Sequence, residues 1–199
     1  MFTGLIKKIG VVQEINSHHG DIQAVLSTDK KFVSFLSEGE SLSINGVCLT
    51  VYNIKDSSFC VDISNETLDV TNLTQLCSGY EVNIETSLTL NDKLGGHLVS
   101  GHVDCIAQII DIKSDSRSYK VGVKLENDYY SKYIVKKGSI CIDGVSLTVN
   151  SEDKDCFYVN IIPHTWNNTI IKNYKIGTVV NVEIDKIALY IEKLITDNK

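Results

Sequence analysis

The sequence predicts an all-β protein built from two similar halves, with one helix at its C-terminal end. Three observations predict it. Residues 44–51, INGVCLTV, return at 142–149 as IDGVSLTV, 98 residues further on in a chain of 199. Apolar and polar residues alternate in short runs such as Phe59-Cys60-Val61-Asp62-Ile63 and Val82-Asn83-Ile84-Glu85, which is the period of a half-buried strand. Turn residues recur every 8–12 positions, the spacing of a small antiparallel barrel or sandwich.

The repeated octamer reads as a strand, a two-residue turn and a second strand. Asn45-Gly46 and Asp143-Gly144 are dipeptides favoured by a type I′ hairpin, whose two central residues both need φ > 0. The likeness extends well beyond the octamer. Residues 2–15 align with 99–112, 57–63 with 155–161, 65–68 with 163–166 and 79–85 with 177–183. The order of elements is kept throughout, so the halves arose by duplication. Closing each sheet on itself would remove the open edges of such short strands.

Each half carries one short helical candidate, 66–76 and 164–173, and the single proline, Pro163, stands at the start of the second. A missing N–H costs least there. The halves are joined by LNDKLGGHLVSGHVD (90–104), where Gly95-Gly96 and Gly101 permit a sharp reversal. After Asp185 nothing is duplicated. Ile187, Ile191 and Ile195, with Leu194, form one apolar helical stripe that Asp185 can cap. So short a helix is marginal alone, so its stripe must dock, on its own core or on another subunit. The expected divisions are 1–97, 98–185 and 186–199.

Composition narrows the function. With 25 acidic against 19 basic residues, a net charge of −6 and no long basic run, the chain lacks the cationic stripe of a nucleic-acid surface. The N-terminus lacks the pattern of a secretory signal, and no apolar run approaches the roughly 20 residues of a membrane span. A cytoplasmic protein with no membrane partner is expected. The six cysteines form no C-x-x-C pair and are expected to be free thiols, mostly buried.

Two homologous units offer two homologous pockets, suited to two copies of one ligand. The matched polar pairs Thr50/Thr148, Asp62/Asn160 and Thr67/Thr165 can read the donor–acceptor edge of a polar heterocycle. The mismatches carry the chemistry: Cys48 against Ser146, His102 against Leu5, His164 against Glu66, and His97 in the linker. His102 titrates near neutrality and suits a general acid or base. Cys48 is an activated thiol if a cation lies near it, and otherwise a small buried hydrophobe. No carboxylate or thiol at ligand spacing supports His97 and His102 as a metal pair, so no metal is expected. Lys136-Lys137 reads as a solvated turn.

MFTG, NGVCLTV, GGHLVSGHVD, KYIVKKG, DGVSLTV and VNVEID occur in register over essentially the whole chain. Together they resemble the riboflavin synthase family of the alpha type. The resemblance implies two six-stranded Greek-key barrels and a C-terminal helix through which three chains assemble. It implies a transferase that uses no metal or organic cofactor. Two molecules of 6,7-dimethyl-8-ribityllumazine exchange a four-carbon unit and yield riboflavin and 5-amino-6-(D-ribitylamino)uracil. The active site would form between the first barrel of one subunit and the second barrel of a neighbour. Association with lumazine synthase is a further partnership that it suggests.

Carried onto this chain, the resemblance implies a first-barrel pocket of Gly4, Leu5, Ile6, Cys48, Leu49, Thr50 and the segment Asp62, Ile63, Ser64, Asn65, Glu66, Thr67. The second-barrel pocket would hold Gly101, His102, Val103, Ser146, Leu147, Thr148 and the segment Asn160, Ile161, Ile162, Pro163, His164, Thr165. Lys137 would reach in from a partner. Cys48, His102, Ser146, Thr148 and Asp185 are the expected catalytic residues, His102 acting with Ser146 and Thr148 on the C7-methyl proton. His164 and Trp166 fall at positions where the family varies, and the tail is short. Lumazine- or flavin-binding antenna proteins share the architecture without the turnover, but tend to lack the catalytic residues and terminal helix that this chain keeps. A repeat protein of purely structural use would have no pocket at all.

Overall fold

A computed structural model describes residues 1–18 and 20–196 of the chain. Twelve strands close into two barrels. The first comprises β1 (Lys8–His18), β2 (Asp21–Ser27), β3 (Ser41–Ile44), β4 (Val47–Lys55), β5 (Ser58–Ile63) and β6 (Glu81–Thr86), in the closed order β1-β2-β5-β4-β3-β6. The second comprises β7 (Cys105–Asp115), β8 (Ser118–Leu125), β9 (Ser139–Ile142), β10 (Val145–Asp153), β11 (Cys156–Ile161) and β12 (Val179–Ile184). Its order, β7-β8-β11-β10-β9-β12, is the same. All pairings are antiparallel, and each barrel is a Greek key in which a three-strand meander is enclosed by the strands before and after it.

Alternation decides what faces where. Along β4, Val47, Leu49 and Val51 point into the first core, joined there by Leu26, Phe59 and Ile84. Cys48, Thr50 and Tyr52 therefore line the outer face. Along β10, Val145, Leu147 and Val149 point into the second core with Val123 and Phe157, leaving Ser146, Thr148 and Asn150 outside.

The two turns of the octamers meet back to back at the seam between the barrels. Asn45 (φ 47°) and Gly46 (φ 81°), like Asp143 (φ 43°) and Gly144 (φ 80°), have the left-handed backbone of a type I′ turn. A Cβ on Gly46 would lie 2.7 Å from the Gly144 nitrogen, so only glycine lets the turns touch. Asn83 and Asn181 lace the seam: Asn83 Nδ2 donates to the Asp143 carbonyl, and Asn181 Nδ2 to the Asn45 carbonyl, both at 2.8 Å.

The helices differ from the sequence expectation in an instructive way. Residues 66–76 are not one helix but α2 (Asn65–Val70) and a 3₁₀ turn, Asn72–Gln75; residues 164–173 split likewise into α3 (Pro163–Asn168) and Ile170–Asn173. The break falls at Thr71 and Thr169, both extended. Each hydroxyl donates back to the carbonyl four residues earlier and accepts the N–H of the second residue of the next turn, Leu73 or Ile171, so one threonine ends one helix and caps the other. A short helix, α1 (Lys30–Val33), and a 3₁₀ segment, Asp128–Tyr133, had no clear sequence signal.

The last helix, α4 (Lys186–Thr196), is capped by Asp185, whose Oδ1 accepts from the Ile187 N–H at 3.1 Å. Residues 197–199 of the expected tail lie outside the described residues. Leu189, absent from the expected stripe, is what packs on the second core. Ile187, Tyr190, Ile191, Leu194 and Ile195 face outward, each more than half exposed. All six cysteines are free, but only Cys60, Cys105 and Cys141 are buried, fewer than expected. No helix among the described residues is long and apolar enough to cross a membrane.

Candidate active site

Ahead of each barrel runs a short segment that belongs as much to the other barrel as to its own. Phe2 and Val99 pair with each other, the Phe2 N–H donating to the Val99 carbonyl at 2.7 Å and the reverse bond spanning 3.1 Å. Beyond this bridge the chains cross. The Gly4 carbonyl accepts from Ser146 N–H, and the Gly101 carbonyl accepts from Cys48 N–H, each at 2.8 Å. Buried glutamates fix both segments: Glu85 accepts from the N–H groups of Thr3 and Gly4 and the Thr3 hydroxyl, and Glu183 from those of Ser100, Gly101 and His102. Burial pushes the Glu85 carboxyl up, while the three donors pull it back.

This crossing corrects the expected grouping. Gly4, Leu5 and Ile6 lie with the second barrel's Ser146, His164 and Thr165, where they border a cavity of about 160 Å³. Gly101, His102 and Val103 go to the first barrel, beside Cys48; Val103 packs on the first core, and a Cβ on Gly101 would lie 2.6 Å from Cys48 Cβ. The two octamers are each completed by the segment leading into the other half. A half-on-half alignment equates these segments but cannot say which barrel each one completes.

His102 is therefore not beside Ser146 within one chain. Its backbone is held by Glu183 and by Lys186, whose Nζ donates to the His102 carbonyl at 3.2 Å, and its ring is exposed. The histidine that does reach Ser146 is His97, with Nδ1 at 2.7 Å from Ser146 Oγ. The sequence had placed His97 only in a linker. Its partner is set by Gly96: a Cβ there would meet the Thr3 carbonyl oxygen at 2.1 Å and Ser146 Oγ at 2.8 Å, so the linker can press onto the octamer only with glycine at this point. Gly96 thus serves close approach alone, whereas Gly101, at φ 82°, serves both the turn and the approach to Cys48.

Burial lowers the His97 pKa, and the nearby Asp185 carboxylate opposes that shift. The imidazole is consequently neutral at neutral pH, a proton acceptor held against a hydroxyl. Its Nε2 is buried with no protein partner among the described residues.

The remaining candidates fall into two outward faces. On the first, Cys48 is half-buried, Thr50 is exposed on the same row, and Asp62 stands on the neighbouring β5. Ser64 caps α2 by accepting the Thr67 N–H, which fixes the segment 62–67. On the second, Ser146 and Thr148 occupy the row, and Asn160 stands on β11. Leu49, Leu147, Ile63 and Ile161 point inward and support the faces from beneath. Ile162, Pro163 and His164 are exposed at the start of α3, as are Asn65 and Glu66 at the start of α2. Lys137 sits in a tight turn at φ 69°, far along β10 from Ser146, its N–H donating to the Val149 carbonyl. No group of His, Cys, Asp or Glu among the described residues is arranged to hold a metal ion. A wider cavity of about 530 Å³ opens on the seam beside Asp143 and Tyr174, away from both faces.

Comparison with known proteins decides the family. The model of the lumazine binding domain matches twice, over residues 3–87 and 100–185. The chain is 37% identical over its full length to riboflavin synthase of Photobacterium phosphoreum, covering 91% of that protein. It is 40% identical over 98% of its length to riboflavin synthase of Saccharomyces cerevisiae (strain ATCC 204508 / S288c), covering 86% of that protein. The chain belongs to the riboflavin synthase family. The fold is also that of LumP, solved with 6,7-dimethyl-8-(1'-D-ribityl)lumazine (TM-score 0.83, 23% identity) and with riboflavin (TM-score 0.85, 24% identity). Each of those likenesses covers 92% of this chain and 99% of LumP. The two family matches begin at the crossing segments and each ends one residue after the strand that carries Glu85 or Glu183.

Proposed function

We propose that the protein is a riboflavin synthase, a transferase that converts two molecules of 6,7-dimethyl-8-ribityllumazine into riboflavin and 5-amino-6-(D-ribitylamino)uracil. The observation that carries the reading is the pair of like outward faces, each made of one octamer and the segment crossing to it. Like faces bind like rings. Their differences, Cys48 and His102 on one and Ser146 with His97 on the other, let two identical guests take different parts.

The C7 methyl of the substrate is acidic, because its deprotonated form spreads charge over the ring. What the protein must supply is alignment of two rings, which can lower the barrier by roughly 7–11 kcal/mol, and well-placed proton acceptors. His97, neutral and hydrogen-bonded to Ser146, is the acceptor that the geometry favours on the second face. Asp185 sustains its basicity from the start of α4. Cys48, Thr50 and His102 serve the ring on the first face.

The faces are too shallow to work alone. The cavity at Ser146 holds about 160 Å³, and no residue of the Cys48–Thr50 face borders it. Ligand sites for molecules of this size usually enclose about 300 Å³ or more. We infer that a second subunit supplies the missing wall, first face against second face, with Lys137 reaching across. The exposed apolar side of α4 suits assembly into a trimer.

The test is incubation of the purified protein with 6,7-dimethyl-8-ribityllumazine, followed by riboflavin absorbance and by mass in solution. One riboflavin formed for two lumazines consumed, by a particle of three chains, is the expected result. Bound lumazine that keeps its own fluorescence and never yields riboflavin would make the protein a binder instead.

A further inference from the structure

The outer row Cys48, Thr50 continues to Tyr52, a residue that the half-on-half comparison pairs with Asn150 and that no motif singles out. Its hydroxyl donates to Asp62 Oδ1 at 2.7 Å. The same phenol oxygen accepts from Gln23 Nε2 at 2.5 Å, and Gln23 Oε1 accepts from Asn16 Nδ2 at 3.4 Å. The links form one relay across four strands, from β1 through β2 and β4 to Asp62 on β5.

The relay has a direction. Asn16 donates to the oxygen of the Gln23 amide, which turns its NH₂ towards Tyr52. A phenol oxygen that receives this hydrogen has only its own proton to give, and that proton goes to Asp62. Burial and the Asp62 charge push the Tyr52 hydroxyl upward, so it stays a donor at neutral pH. An exposed carboxylate would otherwise turn freely. Here Oδ1 is taken, and Oδ2, with no protein partner among the described residues, is held at a set angle on the ligand face.

The second barrel lacks the device. Register places Lys120 opposite Asn160 as it places Gln23 opposite Asp62. The Lys120 ammonium lies over the Tyr158 ring at 4.5 Å, and Asn160 Oδ1 has no protein partner.

We propose that Tyr52 and Gln23 are positioning residues that aim the Asp62 carboxylate at the hydroxyl groups of the ligand's polyol chain, on the first barrel alone. This rests on the reading of the outer faces as lumazine sites. Asp62 is the exposed, wet end of the face, while the ring has the half-buried end, where Cys48 meets Gly101. An ionised carboxylate only accepts, and the polyol offers donors that can remain partly solvated.

The test uses two ligands, 6,7-dimethyl-8-ribityllumazine and 6,7,8-trimethyllumazine, which has a methyl in place of the polyol. Each is titrated by fluorescence against the full protein and against Tyr52→Phe, Gln23→Leu, Asp62→Asn and the Tyr52→Phe/Asp62→Asn pair. Tyr52→Phe should weaken the ribityl ligand about tenfold at one class of site and leave the trimethyl ligand unchanged. Gln23→Leu should show a smaller loss with the same selectivity. In the Asp62→Asn background Tyr52→Phe should cost little more, because the two act as one unit. An equal loss for both ligands would make Tyr52 merely structural and overturn the proposal, as would no loss for either. Failure of the unmodified protein to bind the ribityl ligand would instead overturn the reading of the site itself.

Discussion

Asp143 and Asn45 occupy equivalent turns at the seam, yet only Asp143 is ionisable. Its Oδ1 accepts from the Asn181 N–H and from Asn72 Nδ2, and its Oδ2 from the Tyr174 hydroxyl at 2.6 Å. Burial outweighs these donors and pushes the carboxyl up from 3.8 to about 7. The folded chain thus holds this proton between about pH 4 and pH 7, where the unfolded chain has lost it. Asp143 therefore contributes most to stability at acid pH, and its contribution falls as pH rises to about 7 and then levels off. Asp143→Asn removes that fall. Unfolding free energies from denaturant titrations across this range should show the variant gaining on the unmodified protein as pH rises, by on the order of a few kcal/mol above pH 7. Equal pH slopes for the two would contradict it.

His97 gives a second prediction at this scale. His97→Gln keeps a polar contact to Ser146 but cannot take up a proton, and turnover should fall about a hundredfold or more. Because burial lowers the His97 pKa, the unmodified rate should persist down through the ordinary imidazole range and fail only at lower pH. Steady-state rates against pH check both points, and the variant should lose that acidic limb. Gly96→Ala tests how His97 is placed. A Cβ 2.1 Å from a backbone oxygen must lift the linker from Ser146, so turnover should drop while melting temperature moves little.

At the scale of elements, α4 is tied down on one side and bare on the other. Lys132 Nζ meets Glu192 Oε1 at 2.6 Å, the Tyr133 hydroxyl donates to the same carboxylate, and Leu189 packs on the second core. These contacts hold the helix so that Ile187, Tyr190, Ile191 and Leu194 form an outward apolar side. Replacing Ile191 and Leu194 by aspartate should reduce the particle to about a third of its mass, if three chains pack through this side. Light scattering reads the mass. Riboflavin formation should be lost with it, although each barrel still folds.

For the whole molecule, much of the architecture was legible in the sequence. The octamers carry their own turn chemistry in Asn-Gly and Asp-Gly, and alternation along Phe59–Ile63 and Val82–Glu85 marks strands without help from tertiary contacts. The stripe Ile187, Ile191, Ile195 marks a helix in the same way. What could not be read is where segments cross. Gly4–Ile6 and Gly101–Val103 are equivalent in sequence, and only the backbone bonds from Ser146 N–H to the Gly4 carbonyl and from Cys48 N–H to the Gly101 carbonyl show that each completes the opposite octamer. For the same reason His97 could be named among the one-sided groups but given no partner: its meeting with Ser146 depends on Gly96 passing over a backbone oxygen 93 residues away, Thr3. Tyr52 and Gln23 escaped because cross-strand neighbours on an outer face leave no periodic trace.

The central claim is that the first face of one chain works against the second face of another. Co-expression of Cys48→Ala chains with His97→Ala chains tests it most directly. Either variant alone should be nearly inactive. Mixed particles should recover turnover, because about a quarter of the interfaces pair two intact faces. Mixed particles no more active than either parent would contradict the account, since both faces would then have to belong to one chain.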